Sequence, residues 1–256
     1  MAAALYLAAG IGAVLGLTLP SPRVLRGARW GLGLGAVAQA VGIGALHRLD
    51  PAPSLTSLSM AVAVMAWLSV VFTLALLPRW RLQGFVPPLA FIAFLAAFGT
   101  TLSPGDMALE PDTSGSLPHA HVLLSSAGLA ALGVAGLAGF FFLVEHRALK
   151  RRRRIGRRIA LPSLEALDWV NRLALVLGFP LLTLGVMTGS LWLHSQVGQL
   201  FSGNLHEIWT AVAWIIYVGL IGLRFAGHQG ARQAAASALA GFAFLLLAVV
   251  GSGLVS

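Results

Sequence analysis

The stretch HAHVLLSSAGLAALGVAGLAGFFFLVEHRALKRRRR, residues 119 to 154, decides the class of this chain. No residue between His121 and Glu145 carries a formal charge, and Arg147 and the run Lys150 to Arg154 follow directly. About 20 apolar residues cross the hydrocarbon layer as a helix, and the flanks that stay in the cytoplasm collect Lys and Arg. The stretch reads as a membrane span over 119–145 whose C-terminal end enters the cytoplasm.

The rest of the chain repeats the pattern. Of its 256 residues 58% are hydrophobic and 10% charged, against about a quarter charged in soluble domains; the mean hydropathy is +0.87. Further apolar runs cover 2–19, 29–46, 58–77, 84–102, 170–193, 206–226 and 232–254. The expected fold is therefore all-α, a polytopic membrane helix bundle of about eight transmembrane helices. Pro20-Ser21-Pro22, Asp50-Pro51-Ala52-Pro53, Pro78, Ser103-Pro104-Gly105-Asp106 and Gly227 to Gly230 mark the turns, and Pro180 is expected to kink the sixth helix. Gly128, Gly133, Gly136 and Gly139 supply small surfaces for close helix approach. The first run lacks a basic flank and is read as a retained helix.

Orientation follows from the basic residues. With the N-terminus outside, the cytoplasmic loops hold Arg23, Arg26, Arg29, Arg79, Arg81, Arg147, Lys150 to Arg154, Arg157, Arg158, Arg172, Arg224 and Arg232, leaving Arg48 outside. Both termini then lie outside. The whole chain, 1–256, is read as a single membrane domain: four N-terminal helices over 1–102, an outer loop over 103–118, and a four-helix half over 119–256 with a basic cytoplasmic loop at 147–172. The net charge of +9 reads as a topology signal and an attraction to anionic headgroups, with no nucleic acid as partner. Ser163 followed by Glu165 is a helix-start signal ahead of the sixth span. The chain has no cysteine, which excludes disulfides, thiolate chemistry and thioether attachment of haem. No nucleophile or acid–base pair stands out, so no enzymatic activity is expected.

Topology sorts the seven histidines. His47, His119, His121, His194 and His206 fall at outer helix ends, and His146 and His228 at cytoplasmic ends. Imidazole is a good ligand for iron, and helix bundles build cofactor sites from facing side chains. His121 opens the fifth span and His206 the seventh, at similar depth. An interfacial histidine is also commonly a plain polar cap, and His119 and His194 are read that way; for His47 cap and secondary ligand stand even. Around His206, Trp209 lies on the same helical face. Trp209 and Trp214 read either as interfacial anchors or as walls of a flat slot, and Glu207 either as solvated or as an acceptor orienting an imidazole.

Four blocks carry a family resemblance: HVLLSSAGLAALGVAGLAGFFFLVEHRALKRR from His121 to Arg152, LPSLEALDWVNRLALVLGFPLLTLGVMTGSLW from Leu161 to Trp192, HEIWTAVAWIIYVGLIGLRF from His206 to Phe225, and GFAFLLLAVVGSGLV from Gly241 to Val255. Roughly 117–254 resembles the cytochrome c assembly family that includes CcsA, HemX and the YpjD-type proteins. The string G-F-P-L-L-T-L-G-x-x-T-G-S-x-W is the most specific element. The resemblance implies that His121 is an outer haem ligand and that His206 matches the histidine opening the seventh helix in YpjD-type members; Glu207 and Trp209 match E and W of the CcsA-type D-P-K-E-T-W. The W-G-x-x-W stretch of the CcsA type is absent, and its YLHLR segment here reads Leu220-Ile221-Gly222-Leu223-Arg224.

The expected function is haem handling in cytochrome c biogenesis. Haem b would be held without covalent attachment, His121 and His206 on the iron, with Trp209, Trp214, Glu207 and His47 about it. Expected partners are membrane lipid, haem, and other cytochrome c assembly proteins or a cytoplasmic enzyme of haem synthesis, in a bacterial plasma (inner) membrane. The alternative is a HemX-like membrane regulator or anchor for a tetrapyrrole-synthesis enzyme that docks on the basic loop. A small-solute transporter, for which Gln39 and Thr183 are the mid-membrane polar candidates, is the less favoured reading.

Overall fold

The computed structural model describes residues 1–46, 48, 57–80, 82–102, 116–150, 162–227 and 229–255; the side chains of 58, 79, 80, 206 and 249–255 lie outside that description. Among the described residues the chain forms eight α-helices: α1 Ala2–Thr18, α2 Pro22–Leu46, α3 Leu58–Trp80, α4 Val86–Leu102, α5 Ser116–Lys150, α6 Leu164–Val197, α7 Leu205–Phe225 and α8 Ala231–Val255, with one 3-10 turn at Gln83–Phe85. Six are long and apolar enough to cross a membrane; α1 is apolar but has 17 residues, and α2 carries the Arg23, Arg26, Arg29 ladder at its start. This is a multi-pass helical membrane protein, as its composition requires.

The helices overrun the apolar runs that announce them. α5 extends over 35 residues and α6 over 34, about 52 and 51 Å at 1.5 Å per residue, against about 30 Å of hydrocarbon. Hydropathy marks only the part of a helix that sits in lipid; it does not mark where backbone hydrogen bonding stops. α2 likewise begins at Pro22, where a proline costs nothing because a first-turn N–H has no partner. Pro78, expected in a turn, lies inside the last turn of α3. α6 runs unbroken through Pro180. Its start is the one Ser163 and Glu165 announce: Ser163 Oγ accepts from Ala166 N at 3.2 Å, with Glu165 in the first turn. Its end is Gly198 at φ 73°, the left-handed conformation glycine adopts freely, donating to His194 O at 2.9 Å.

The contacts divide the chain into two compact units. In the first, Met1–Thr113 with Arg152–Pro162, polar side chains tie three helices together. Tyr6 donates from its phenol to Gln39 Oε1 at 2.8 Å, Gln39 Nε2 donates to Ala63 O at 3.0 Å, and Trp67 Nε1 donates to Ala36 O at 2.9 Å. Gln39, a candidate transport group by sequence, is thus buried and engaged at both ends of its amide.

The second unit, Ser114–Arg151 with Ser163–Ser256, is organised around α5, which packs against both α6 and α8. The contacts are backbone-close. A Cβ at Gly128 would lie 2.5 Å from Leu182 N, and one at Gly136 would lie 2.7 Å from Phe242 Cβ. α7 completes the unit against α8, with Gly241 beneath Leu220 and Tyr217. Buried Asn171 links α6 to α5 by donating from Nδ2 to Ala135 O at 2.9 Å.

Two predictions follow from this packing. Gly128→Val drives a side chain into backbone that cannot yield, and should lower stability by about 2–3 kcal/mol, read as a fall in melting temperature in detergent; Gly33→Ala, with nothing within 4 Å, should not. The absence of cysteine makes orientation measurable. Ser116→Cys should react with an impermeant maleimide from outside intact cells and Arg147→Cys only after permeabilisation; the reverse pattern inverts the topology.

Candidate functional site

His121 lies in the second turn of α5, part-buried, with its Nδ1 2.8 Å from Gly185 O of α6. A carbonyl oxygen only accepts, so Nδ1 carries the proton and donates. In the neutral ring this leaves the lone pair on Nε2, the form in which imidazole binds a metal. Carbonyl-oriented imidazoles of this kind are the usual arrangement behind metal-ligating histidines. Ser125, one turn further along α5, places its Oγ 3.4 Å from the same nitrogen.

The ring sits in a notch cut by two glycines. A Cβ at Gly189 would come to 2.7 Å from His121 Nδ1 and 2.8 Å from Cε1, and a Cβ at Gly185 would collide with Ser125 Oγ. Alanine at either site would push the imidazole or α5 away. Trp192, on the same face of α6 as Gly185 and Gly189, closes the notch, with ring centroids 6.4 Å apart and planes at 35° to His121. Its Nε1 is buried without a hydrogen-bond partner.

The other residues singled out from sequence are held elsewhere. Trp214 donates from Nε1 to Thr183 Oγ1 at 3.0 Å and stacks on Phe179 at 6.1 Å. Thr183 and Gly185 are two residues apart, so they lie about 160° apart around α6. Trp214 is therefore packed on the other face of α6 from the His121 notch. Trp209 rests on Phe244 of α8 at 5.8 Å. Glu207 accepts from Ser202 N at 2.7 Å, Ser202 Oγ at 2.8 Å and Gly203 N at 3.0 Å, reaching back to pin the turn before α7. His206 is in the first turn of α7, and its side chain lies outside the described residues, as does all of His47. The backbone register still fixes its depth: eight residues along α7 from Trp214, and eight along α6 from Thr183, bring His206 level with Leu191. That is within about a turn of Gly189 and Trp192. His119 is part-buried near the start of α5 and His194 is exposed on the last turns of α6.

One strong feature of this unit escaped the sequence. Arg224, whose side chain is 5% exposed, donates from Nη2 to Asp168 Oδ1 at 2.6 Å, joining the end of α7 to the start of α6. Arg172 stands 3.9 Å from the other carboxylate oxygen but is largely solvated. In the sequence Arg224 is one more basic residue at a helix end. Only a carboxylate facing it across another helix reveals the pair, and Asp168 and Arg224 are 56 positions apart.

The fold and this notch define a class: a multi-pass helical membrane protein that presents a carbonyl-oriented imidazole near one end of a four-helix unit. Comparison with known proteins is more specific. A sequence model of the family described as cytochrome C assembly protein matches residues 55–256, well over half the chain, and the chain belongs to that family. Similar individual proteins are named cytochrome c biogenesis protein CcsA: one from Prochlorococcus marinus subsp. pastoris is 34% identical over 88 residues, one from Picosynechococcus sp. 33% over 96 residues, and one from Microcystis aeruginosa 32% over 91 residues. These matches take in 34–35% of this chain and 27–28% of those proteins, so the chain spans less than a third of their length.

The ion pair yields a clear expectation. Asp168→Asn leaves a buried guanidinium unpaired and should cost about 3 kcal/mol or more, seen as a lowered melting temperature in detergent, whereas Asp168→Asn combined with Arg224→Met should recover most of that loss.

Proposed function

We propose that this protein handles haem b in cytochrome c maturation, in a bacterial plasma membrane, with His121 as a ligand to the iron at the outer end of the α5–α8 unit. The observation that carries the reading is the 2.8 Å contact of His121 Nδ1 with Gly185 O. It places the proton on the inner nitrogen and leaves Nε2 as a donor atom in a fixed direction. The residues present fit the group: the imidazole is in its ligating tautomer, and Gly185 and Gly189 give its Nδ1 edge room against α6. When bound, haem would supply an iron that a neutral imidazole can ligate. His121 would hold that iron from α5; His206 matches it in depth only, because α7 meets α6 on the face opposite the notch. The family and the CcsA names of similar proteins support the biological setting.

The protein's own part is to hold and orient. Gly185 O keeps the ring from rotating and holds the proton on Nδ1. The two glycines let α5 and α6 approach closely enough for that bond to form. Glu207, through its hold on Ser202 and Gly203, fixes where α7 begins and hence where His206 stands.

The test is spectroscopic. The purified full chain in detergent, loaded with haem b, should show a Soret band. His121→Ala should lose most of the bound haem, and His206→Ala should keep it. Wild-type haem content in His121→Ala overturns the ligand assignment.

A further inference from the structure

We propose that the exposed face of α2 binds an anionic phospholipid, with Arg23 and Arg26 on the headgroup phosphate and Trp30, Leu34 and Val37 along the acyl chains. The inference is independent of the haem reading. Arg23 and Arg26 stand in the first turns of α2, three residues apart and both exposed. Three things make that place unfavourable. The N-terminal end of a helix dipole repels positive charge, and α2 has no acid in its first turn to offset it. Two like charges on neighbouring turns of one helix repel each other. The described residues of the first unit also hold no Asp or Glu, so none of them neutralises the pair. Elsewhere the chain avoids these costs. Arg147 and Lys150 have the same spacing but sit in the last turn of α5, where the dipole favours them, and buried Arg224 has Asp168. An anion from outside the chain, seated at Arg23 and Arg26, relieves all three.

The rest of the face selects the anion. Arg23, Arg26, Trp30, Leu34, Val37 and Val41 fall within about 40° of one line along α2. Trp30 is 70% exposed, Leu34 56%, Val37 62% and Val41 66%, so the fold leaves this line open. Arg29 is part-buried, lies about 100° round the helix from Trp30 and takes no part. Leu34 and Val37 follow Arg26 by 8 and 11 residues, about 12 and 16 Å along the axis. That is the depth of one leaflet in a hydrocarbon layer of about 30 Å. A molecule lying on this face meets two guanidinium groups, then an indole at the level where tryptophan usually borders the headgroups, then a leaflet's depth of apolar surface. Guanidinium forks match phosphate oxygens. A phospholipid of net negative charge is divided in the same order, whereas free phosphate or an acidic peptide would use the first part alone.

The experiment incubates the full chain, purified in a nonionic detergent, with equal amounts of phosphatidylglycerol and phosphatidylcholine of the same acyl chains, and counts the retained lipid by native mass spectrometry. Wild type should retain the anionic lipid about tenfold over the zwitterionic one, as expected for two arginines at one charged headgroup. Arg23→Gln/Arg26→Gln should lose that preference. Arg147→Gln/Lys150→Gln, which removes the same charge at the same spacing, should keep it. Melting temperature gives a second reading. Without lipid, Arg23→Gln/Arg26→Gln should melt no lower than wild type, because its helix start is relieved of repulsion. Phosphatidylglycerol should raise the melting temperature of wild type and leave that of the double variant unmoved, and inorganic phosphate should raise neither. Equal retention of the two lipids by wild type overturns the inference, and is the result an acidic protein partner would give. An undiminished preference in Arg23→Gln/Arg26→Gln, or an equal loss in Arg147→Gln/Lys150→Gln, overturns it too, the latter by reducing it to bulk charge. So does a rise with inorganic phosphate equal to that with the lipid, or a lipid-free double variant that melts well below wild type.

Discussion

The bond from His121 Nδ1 to Gly185 O sets the terms for the rest of this half of the molecule. For a short side chain on one helix to reach the backbone carbonyl of another, the two helices must be almost in contact. That demands small surfaces along both. Gly128 meets Leu182 at the backbone, Gly178 meets Leu132, and Gly185 meets Ser125. In lipid no hydrophobic force draws helices together, so close van der Waals fit of this kind is the main source of their association. The same glycines thus hold α5 to α6 and leave room for the imidazole.

Polar side chains inside the bundle mostly follow a second rule, that each ties one helix to the next. Tyr6, Gln39 and Ala63 connect α1, α2 and α3; Asn171 reaches Ala135 across α6 and α5; Trp214 reaches Thr183 across α7 and α6. Asp168 and Arg224 do the same with opposite charges, which cancel where water is scarce. These groups are fasteners. The two polar residues that sequence alone offered as a transport path, Gln39 and Thr183, are both used in this way. His121 differs in that its Nδ1 is fastened while Nε2 keeps a lone pair.

Much of this was legible in the sequence, and what was not has definite causes. Apolar runs and their basic flanks gave the helix order, and Ser163 with Glu165 gave the start of α6, because both signals are local. Helix lengths were underestimated, since Arg23 to Arg29 and Glu145 to Lys150 continue helices that hydropathy counts as finished. His121 stood out as the histidine opening a span. The grouping of Trp214 with it rested on position along α7, and no sequence rule tells which face of α6 a neighbouring helix will choose. The Asp168–Arg224 pair and the contact of Trp192 with His121 were missed for the same reason. Their meaning lies in partners on other helices.

The string G-F-P-L-L-T-L-G-x-x-T-G-S-x-W acquires a physical sense from these contacts. Phe179 and Thr183 receive Trp214 of α7 on one face; Gly185, Gly189 and Trp192 receive His121 of α5 on the other. One helix thereby sets the positions of both its neighbours. Asp168 marks the opposite end of the same helix, 17 residues before Gly185, or about 25 Å along the axis. A charged pair and a hydrogen-bonded imidazole separated by nearly the thickness of the hydrocarbon layer each fall near one of its edges. The imidazole is then at a depth where one side is apolar and the other adjoins the wet headgroup region.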